Sequence, residues 1–356
     1  MMEAKPERST RRRAECMRGL ALALLAASLL LAQGVAAAPV RVGTTSSSSD
    51  APLFIADKRG YFKEEGIEVE FTTFDSAAKM IAPLGAGQLE VGAGSPAAGF
   101  YNAAARGLNI KIVADKGSMP PGYGYLPLLV RKDLVDSGKF KSFKDLKGLK
   151  VALPAPGTTT DSTLNEALAK GGLKWADVDV TYMGFPQHVL ALQNKAIDAS
   201  VTTEPSATRS EQLGAAVRFA TGDAVYPNQQ VAVILYGGNF IKEQPEVARK
   251  FMLAYIRAVR DYNDALKGGK LAGARADEII AILTESTTIK DANVYRALTP
   301  NGVNPDGKLN EASLRKDLQF FKDRGLIEGN ISVEQVVDNS FVEAALKQIG
   351  PYKPAR

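Results

Sequence analysis

The chain has 356 residues, of which 45% are hydrophobic and 23% charged, with 44 Lys and Arg against 39 Asp and Glu. This is the composition of an ordinary globular protein, and the length suits two lobes better than a single core. With one cysteine and one histidine, the chain cannot build a catalytic Cys–His pair or a multi-histidine metal site. We therefore expect no metal, no cofactor and no enzymatic activity.

The first 37 residues have the three parts of a secretory signal peptide. Basic residues, among them Arg11 to Arg13, precede the apolar run GLALALLAASLLLA (19–32), and VAAAP (35–39) offers a cleavage point that we place after Ala37. The run is shorter than a bilayer span, which disfavours a retained anchor. Removing the segment takes away Cys16 and leaves a net charge of +2. These features predict a periplasmic protein without disulfides and without a nucleic-acid partner.

The first half of the remaining chain alternates strands and helices. Predicted strands lie at 40–45, 67–71, 88–94 and 109–115, and predicted helices at 51–60, 76–87 and 96–107. This order is typical of a parallel sheet covered by helices. The segment GSMPPGYGYLP (117–127) breaks the order with glycines and prolines, and LLVRKD (128–133) leads away from it.

The same order then restarts. Residues 142–173 predict a helical turn, a strand ending near Leu153, a loop and a helix, followed by a strand, a helix and a strand at 178–184, 186–196 and 197–203. A strand returns at 229–238, and the rest is predicted to be helical, including an amphipathic packing helix at 245–269. We predict two lobes, one formed by 38–127 with 231–356 and the other by 128–230.

Hydroxyl-rich loops follow corresponding strands in the two halves. GTTSSSSDAP (43–52) and GAGSP (92–96) lie in the first half, and GTTTD (157–161) and SVTTEP (200–205) in the second. In open α/β sheets, ligands bind beyond the carboxyl ends of the strands. Free N–H groups at a helix start, with Ser or Thr hydroxyls beside them, suit an oxyanion.

These loops and their neighbours supply the candidate ligand-binding residues. A hydroxyl before a helix can be only a cap, but four consecutive serines exceed what a cap needs. The single histidine and the glutamate of TTEP can each either contact a ligand or satisfy their own helix. The candidates are Thr45, Ser46, Ser47, Ser48, Ser49, Gly94, Ser95, Tyr123, Tyr125, Thr158, Thr159, Thr160, His188 and Glu204.

A dinucleotide site is the competing interpretation. GAGSPA (92–97) satisfies G-x-G-x-x-A between a strand and a helix, and Asp115 ends the next strand. Against it, QLEV is a short strand with polar residues, where a buried first strand should be apolar. Pro96 also removes an N–H from the turn, and an exported protein has little access to nicotinamide cofactor. An NAD-dependent enzyme is therefore the remote alternative.

Five segments in order resemble the nitrate, sulfonate, taurine and thiamine-precursor class of ABC-transporter substrate-binding proteins. They are APLFIADKRGYFKEEGIEVEF, GAGQLEVGAGSP, ARGLNIKIVAD, FKDLKGLKVALPAPGTTTD and QNKAIDASVTTEP. The resemblance implies the α/β fold of a type II periplasmic binding protein, with two lobes, a hinge of two crossings and a ligand in the cleft between them. It also implies delivery of a small solute to an inner-membrane ABC permease, and it places binding loops at 44–50, 94–95, 157–160 and near Glu204.

The ligand class rests on the hydroxyl loops and their lack of Lys and Arg. We expect a small organic anion, a sulfonate or carboxylate, held by a monomeric protein. A neutral pyrimidine or thiamine precursor, with Glu204 taking an amino group, and nitrate are the alternatives. The pyrimidine synthases of the same superfamily use a cysteine-rich motif and histidines, which this chain lacks, so that activity is not implied. An extracytoplasmic sensor is a third possibility.

Overall fold

The computed structural model of the protein describes Met1 and residues 38–354. The chain divides into two units, Met1–Ala38 and Pro39–Arg356, and the second contains all the elements described. The predicted signal peptide, apart from Met1, lies outside the described residues. Within the described part of the chain, no helix has both the length and the apolar character needed to cross a bilayer.

The second unit is a mixed α/β structure. Its strands are β1 (Val40–Thr44), β2 (Val69–Thr73), β3 (Val91–Gly94), β4 (Lys111–Ser118), β5 (Leu128–Arg131), β6 (Lys150–Leu153), β7 (Asp179–Tyr182), β8 (Ala199–Val201), β9 (Ala216–Ala220), β10 (Gln230–Tyr236), β11 (Leu266–Lys267) and β12 (Lys270–Leu271). Its helices are α1 (Ala51–Lys58), α2 (Tyr61–Glu64), α3 (Ile81–Gly85), α4 (Ala98–Ala105), α5 (Lys132–Asp136), α6 (Thr159–Lys170), α7 (Phe185–Gln193), α8 (Ser206–Gln212), α9 (Gly222–Val225), α10 (Gly238–Glu243), α11 (Pro245–Asp264), α12 (Ala276–Ser286), α13 (Ala292–Ala297), α14 (Glu311–Asp323), α15 (Val333–Val336) and α16 (Ser340–Ile349).

Two five-stranded sheets form the cores of two lobes. The strand orders are β2-β1-β3-β10-β4 and β7-β6-β8-β5-β9. In each sheet the first three strands are parallel, so that Val42 lies between Phe71 and Val91, and Val151 lies between Val180 and Ala199. The fourth strand is antiparallel to both neighbours. The two lobes therefore share one strand order, as the repeated sequence pattern predicted.

The antiparallel strands correct the expectation of purely parallel sheets. LLVRKD leads away from the first sheet as predicted, but its first four residues form β5, the fourth strand of the second sheet, which was not predicted. Likewise β10 enters the first sheet between β3 and β4. Both β5 and β10 directly follow a crossing between the lobes. A strand that enters its sheet from the other lobe is not part of a βα unit, so it need not run parallel to the strands that are. The sequence pattern reports strand formation but not strand direction.

Two elements differ from the predicted ones for local reasons. β9 was not predicted, because Ala216 is its only buried residue and the strand lacks a clear alternation of buried and exposed side chains. The hairpin of β11 and β12 interrupts the C-terminal region that was predicted to be helical; its turn contains Gly268 and Gly269, both with positive φ. The hairpin contributes no residue to the hydroxyl loops, whereas Arg218 of β9 contacts Glu204 of the loop 200–205.

The first sheet is packed on both faces. On one side α11 buries an apolar stripe that includes Phe251, Tyr255 and Tyr262, and Phe251 stacks on Phe62 with ring centroids 4.6 Å apart. β10 is buried along its whole length. Burial of this kind, at roughly 25 cal/mol per Å² of apolar surface, is the main stabilising contribution to the lobe.

Two crossings connect the lobes, one between β4 and β5 and the other between β9 and β10. The crossings are hydrogen-bonded to each other: Met119 N–H donates to Gln229 O at 3.0 Å, and Asn228 N–H donates to Met119 O at 2.9 Å. Helix α14 adds a third connection. Its Phe321 packs in the first lobe, while its Lys316 pairs with Glu166 of the second lobe at 2.8 Å.

Candidate functional site

A cleft lies where the carboxyl ends of β1, β3 and β6 face each other across the two lobes. It holds about 420 Å³ of space between atoms, the open solvent at its mouth included. Its lining residues are Thr45, Ser47, Ser49, Ser76, Ala77, Gly94, Ser95, Tyr125, Leu126, Pro154, Thr158, Thr159, Thr160, Phe185, Thr203, Val231 and Ala232. The loops that enter helices thus meet at one site, as expected for open α/β sheets.

The serine loop, residues 45–50, forms the first wall of the cleft. Ser47 caps a short 3-10 segment, Ser48–Asp50, and Asp50 accepts hydrogen bonds from the backbone N–H of Ser47 at 3.0 Å and of Thr45 at 3.3 Å. The aspartate is therefore committed to its own loop, and Thr45, Ser47 and Ser49 line the cleft.

A buried ion pair supports this loop from behind. Lys116 of β4 places its Nζ 2.6 Å from Asp50 Oδ1, and both side chains are completely buried. The same Nζ donates to Ser49 Oγ at 2.9 Å. A buried carboxylate needs such a partner, because desolvation of an unpaired charge is costly. The positive charge of Lys116 therefore lies one hydroxyl away from the cleft.

The threonine loop, residues 157–161, forms the opposite wall. Asp161 accepts from Gly157 N–H at 2.9 Å, and Thr158 Oγ1 lies 2.6 Å from Thr160 Oγ1. Gly157 has φ of +67°, and a Cβ there would lie 2.8 Å from Ala98 Cβ, so the turn requires glycine. Burial raises the pKa of Asp161 to about 7, against its hydrogen bonds from Gly157 and Thr158.

Gly94 and Ser95 connect the first lobe to the threonine loop. Ser95 Oγ accepts from Thr159 N–H at 2.9 Å and lies 3.0 Å from Thr159 Oγ1. A Cβ on Gly94 would lie 2.6 Å from Ala77 Cβ, so only glycine permits this approach. The N–H of Ala98 donates to Gly157 O at 2.7 Å, again between the lobes.

The other end of the cleft is bridged as well. Ser47 Oγ lies 3.0 Å from Thr203 Oγ1, and Ser48 N–H donates to Glu204 O at 2.8 Å. Hydrogen bonds between the lobes at both ends of the cleft define a closed conformation. Their individual contribution is modest, about 1 kcal/mol each, so the closed state can open without breaking either core.

The cleft is lined by hydroxyl groups and by apolar side chains. None of the described residues that line it carries a charged side chain. The Tyr125 hydroxyl is buried beside Ser49 and has no hydrogen bond of normal geometry within the described residues. Burial raises the pKa of Tyr125 well above its usual value, so the phenol is a neutral donor. This hydroxyl at the cleft is a donor that a polar ligand atom can accept from.

The predicted residues divide into two groups. Nine of them line the cleft: Thr45, Ser47, Ser49, Gly94, Ser95, Tyr125, Thr158, Thr159 and Thr160. Ser46 and Ser48 line a neighbouring groove instead, and Tyr123 lines a separate pocket near the crossings. As ligand contacts, all of these stay predictions.

His188 and Glu204 lie behind the cleft wall. The His188 ring nitrogens are 2.8 Å from Thr202 Oγ1 and 2.9 Å from Met183 O, and burial lowers its pKa to about 4. Glu204 accepts from Arg218 Nη2 at 2.6 Å and from Thr208 N–H at 2.9 Å. Both side chains have protein partners that account for their position.

Ser76, Thr203 and Lys116 were not among the predicted site residues. Ser76 and Thr203 line the cleft, and Lys116 supports it from behind. Lys116, two residues after the apolar strand residues 112–114, was the available signal, because a charge within a buried strand requires a partner. That partner, Asp50, lies 66 positions earlier in the chain, and the sequence does not show that the two residues pair.

The groups of the GAGSPA segment and of Asp115 that a dinucleotide would need already have protein partners. The Ala98 N–H at the start of α4 already donates to Gly157 O. Asp115 accepts from Gln230 Nε2 at 2.6 Å and Asn304 N–H at 2.7 Å, so the acid proposed to hold a ribose is bound within the hinge region. No group of three or more His, Cys, Asp or Glu within the described residues is arranged to hold a metal ion.

Two α/β lobes of one strand order, joined by two crossings and enclosing a polar cleft, define the class of periplasmic binding proteins. The chain belongs to the NMT1-like family, whose sequence model matches residues 33–276. The match covers both lobes except for the C-terminal helices of the first.

Known proteins similar to this chain include two bacterial relatives. A binding protein of Brucella abortus (strain 2308) is 30% identical over 258 residues, covering 72% of this chain and 75% of the relative. The taurine-binding periplasmic protein of Escherichia coli (strain K12) is 24% identical, covering 90% of this chain and 98% of the relative.

Solved structures share the fold over most of the chain. The nitrate-binding protein NrtA from Synechocystis PCC 6803 superimposes with a TM-score of 0.73 at 15% identity, covering 89% of this chain and 92% of that one. The alkanesulfonate-binding protein SsuA from Xanthomonas axonopodis pv. citri, bound to MOPS, superimposes with a TM-score of 0.67 at 17% identity, covering 85% and 98%. These likenesses establish the type II periplasmic binding fold.

Proposed function

We propose that the protein is the periplasmic solute-binding component of an ABC importer and that it captures a small organic anion, a sulfonate or carboxylate, by closure of its hinge. The observation that carries the proposal is the cleft itself: hydroxyls of the serine loop and the threonine loop face one space, and hydrogen bonds join the lobes at both ends of it. A solute bound there contacts both lobes, so its binding favours the closed state.

The lining favours an anion that carries an apolar body. The acidic end is matched by hydroxyl and N–H donors, by the neutral Tyr125 phenol, and by the charge of Lys116 behind Ser49. The apolar end is matched by Leu126, Phe185 and Val231. Nitrate would leave these apolar groups unused, and a neutral heterocycle would leave the donors without a charge to stabilise.

The remaining parts of the proposal follow from the same reasoning. Residues 1–37 direct export and are removed, and the mature protein acts as a monomer and delivers its solute to an inner-membrane permease. Lobe 1 comprises 38–127 with 231–356 and lobe 2 comprises 128–230. The relatives named as periplasmic binding proteins support this assignment, and no catalytic step is included in it.

A thermal-shift screen of protein purified from the periplasm of its expression host tests the ligand class. The solutes are taurine, butanesulfonate, acetate, benzoate, nitrate and uracil. We expect a sulfonate or carboxylate to raise the Tm progressively with concentration, because a ligand that binds only the folded state stabilises it. A response to uracil alone, or to nitrate alone, would replace the organic anion by the corresponding alternative.

The variants Ser47→Ala and Thr159→Ala test the two loops as binding elements. Each should weaken the binding of the active solute about fivefold to tenfold, since one hydrogen bond to an anion is lost. The matched control is Ser340→Ala, an exposed serine at the start of α16. Unchanged affinity in both loop variants would show that the solute binds elsewhere.

A further inference from the structure

A second depression, the outer groove, lies beside the cleft and is formed by both lobes. Its sixteen lining residues come from the serine loop, α12 and α13 of the first lobe and from α7 and α8 of the second, and it holds about 1090 Å³ of space, open solvent included. The cleft and the outer groove share Ser47. Between them stand the Ser47–Thr203 contact and the hydrogen bond from Ser48 N–H to Glu204 O, so the two spaces are separate.

The groove presents apolar side chains to solvent. Leu190 is 63% exposed and Leu213 is 39% exposed, and both belong to the small set of large hydrophobic residues exposed in the described part of the chain. Val189, Leu283 and Ile289 line the same groove. A single exposed leucine is unremarkable, but Leu190 and Leu213, together with the half-buried Ile289, give one concave surface an apolar part, whereas Val189 and Leu283 are buried at 8% and 1% exposure.

One cation lies in this apolar surface without a partner. Arg209 is the sole charged side chain among the described residues that line the groove, and none of those residues is acidic. Within residues 38–354 its guanidinium makes no ion pair and no hydrogen bond. By contrast, Arg218 of the adjoining β9 is fully engaged with Glu204 and Glu211. A half-buried guanidinium with five unused donors is matched by a carboxylate or sulfonate.

We propose that the outer groove is a second ligand site, for an amphipathic organic anion whose acidic group pairs with Arg209 and whose alkyl or aryl body lies against Leu190, Leu213 and Ile289. The occupant is fixed by charge complementarity, because among the described residues that line the groove there is one cation without a partner, there is no acid, and two exposed leucines lie in the same surface. The site goes beyond the proposed transport function and does not depend on which solute the cleft holds. Its ligand touches both lobes without entering the cleft.

Isothermal titration of the purified protein with octanesulfonate, below its micellar concentration, tests the proposal. Octylammonium, with the same chain and the opposite charge, is the paired probe. We expect octanesulfonate to bind and octylammonium not to bind. Arg209→Gln should weaken octanesulfonate binding about tenfold, since a charge-assisted bidentate contact is lost. Leu190→Ser should weaken it severalfold through the apolar contact alone.

Two further variants separate the groove from the cleft. Arg209→Gln is compared in the wild type and in Thr159→Ala, which alters the cleft wall, and the tenfold loss should be the same in both backgrounds because the two sites are separate. Arg249→Gln, a distant exposed arginine on α11, should leave octanesulfonate affinity within twofold of wild type. Because Arg209 has no ion pair to lose, Arg209→Gln should keep the wild-type Tm without ligand. Equal binding of octylammonium, unchanged affinity in Arg209→Gln, or disappearance of the Arg209→Gln effect in the Thr159→Ala background would each overturn the proposal.

Discussion

The serine loop and the threonine loop occupy equivalent positions in two lobes of one strand order, yet they are supported differently. Each follows a parallel strand, each presents hydroxyls to the cleft, and each contains an aspartate that accepts a hydrogen bond from the backbone of its own loop. Asp50 also pairs with the buried Lys116 at 2.6 Å. Asp161 makes no ion pair within the described residues, and burial raises its pKa to about 7.

The difference shows that two loops that present the same hydroxyl groups to the cleft can be stabilised by different interactions. In the first lobe a charge pair of one lysine and one aspartate fixes the loop. In the second lobe hydrogen bonds hold the loop without an ion pair in the described residues, and the pKa of Asp161 is raised because burial outweighs those hydrogen bonds and the charge of Arg324. We expect the serine loop to be sensitive to loss of its partner charge and the threonine loop to be sensitive to pH.

The largest expected effect is that of Lys116→Met. The variant leaves Asp50 buried and unpaired, which should reduce the free energy of unfolding by about 3–5 kcal/mol. Urea denaturation monitored by circular dichroism measures the loss. Lys139→Met, at an exposed lysine of the second lobe, is the matched control.

The double variant Lys116→Met with Asp50→Asn refines this prediction. Asparagine keeps a hydrogen-bond acceptor for the serine loop but carries no charge, so it should recover part of the lost stability. A loss of less than about 1 kcal/mol in Lys116→Met would show that the serine loop does not depend on its ion pair.

The next effect concerns pH and the threonine loop. The pKa of Asp161 is raised from 3.8 to about 7 in the folded protein, so the folded state binds a proton more tightly than the unfolded state. The contribution of Asp161 is fully present below about pH 4 and is lost as the pH rises towards 7. The stability of the wild type relative to Asp161→Asn should therefore fall by about 3 kcal/mol across this window.

Urea denaturation of both proteins at pH 4, 5, 6 and 7 provides the comparison. Asp179→Asn, at an exposed position of β7, is the control and should follow the wild type at every pH. Parallel stability curves for the wild type and Asp161→Asn would contradict the assignment of a protonated Asp161 in the threonine loop.

The smallest expected effect is a shift in the equilibrium between the open and closed states of the two lobes. Ser95→Ala removes two contacts with Thr159 across the cleft, whereas Ser47→Ala removes one with Thr203. Without solute, Ser95→Ala should shift the equilibrium towards the open state about fivefold, equivalent to about 1 kcal/mol, and Ser47→Ala should shift it less.

Fluorescence energy transfer between dyes on Lys63→Cys and Lys141→Cys, exposed positions in different lobes, reports this equilibrium. No other cysteine follows residue 37, so the labels are specific. If Ser95→Ala has the same energy-transfer distribution as the Ser340→Ala control, the Ser95–Thr159 contacts do not hold the lobes closed, and the prediction is wrong.

Much of the cleft was predictable because its elements are local. The strand, loop and helix at 40–58 and at 150–170 follow from hydrophobic periodicity and from hydroxyl and glycine residues at the turns. The rule that ligands bind at the carboxyl ends of strands then joined two distant loops. Nine of the fourteen candidate residues line one cleft for this reason.

The tertiary structure decided which groups are partners. The sequence favours a structural role for His188 over a ligand contact and leaves the two roles of Glu204 open. Their burial among Thr202, Met183 and Arg218 depends on how the second lobe packs. The outer groove likewise exists only because α7 and α8 of one lobe stand opposite α12 and α13 of the other.

By itself, the sequence determined the repeated strand and helix order, the two lobes and the hydroxyl character of the loops, since each depends on residues close together in the chain. Only the tertiary structure determined the direction of β5 and β10, the pairing of Lys116 with Asp50 and the isolation of Arg209. The physical reason is that direction, ion pairing and exposure are set by neighbours far away in sequence, and the free energy of a charge depends on its surroundings rather than on its residue type.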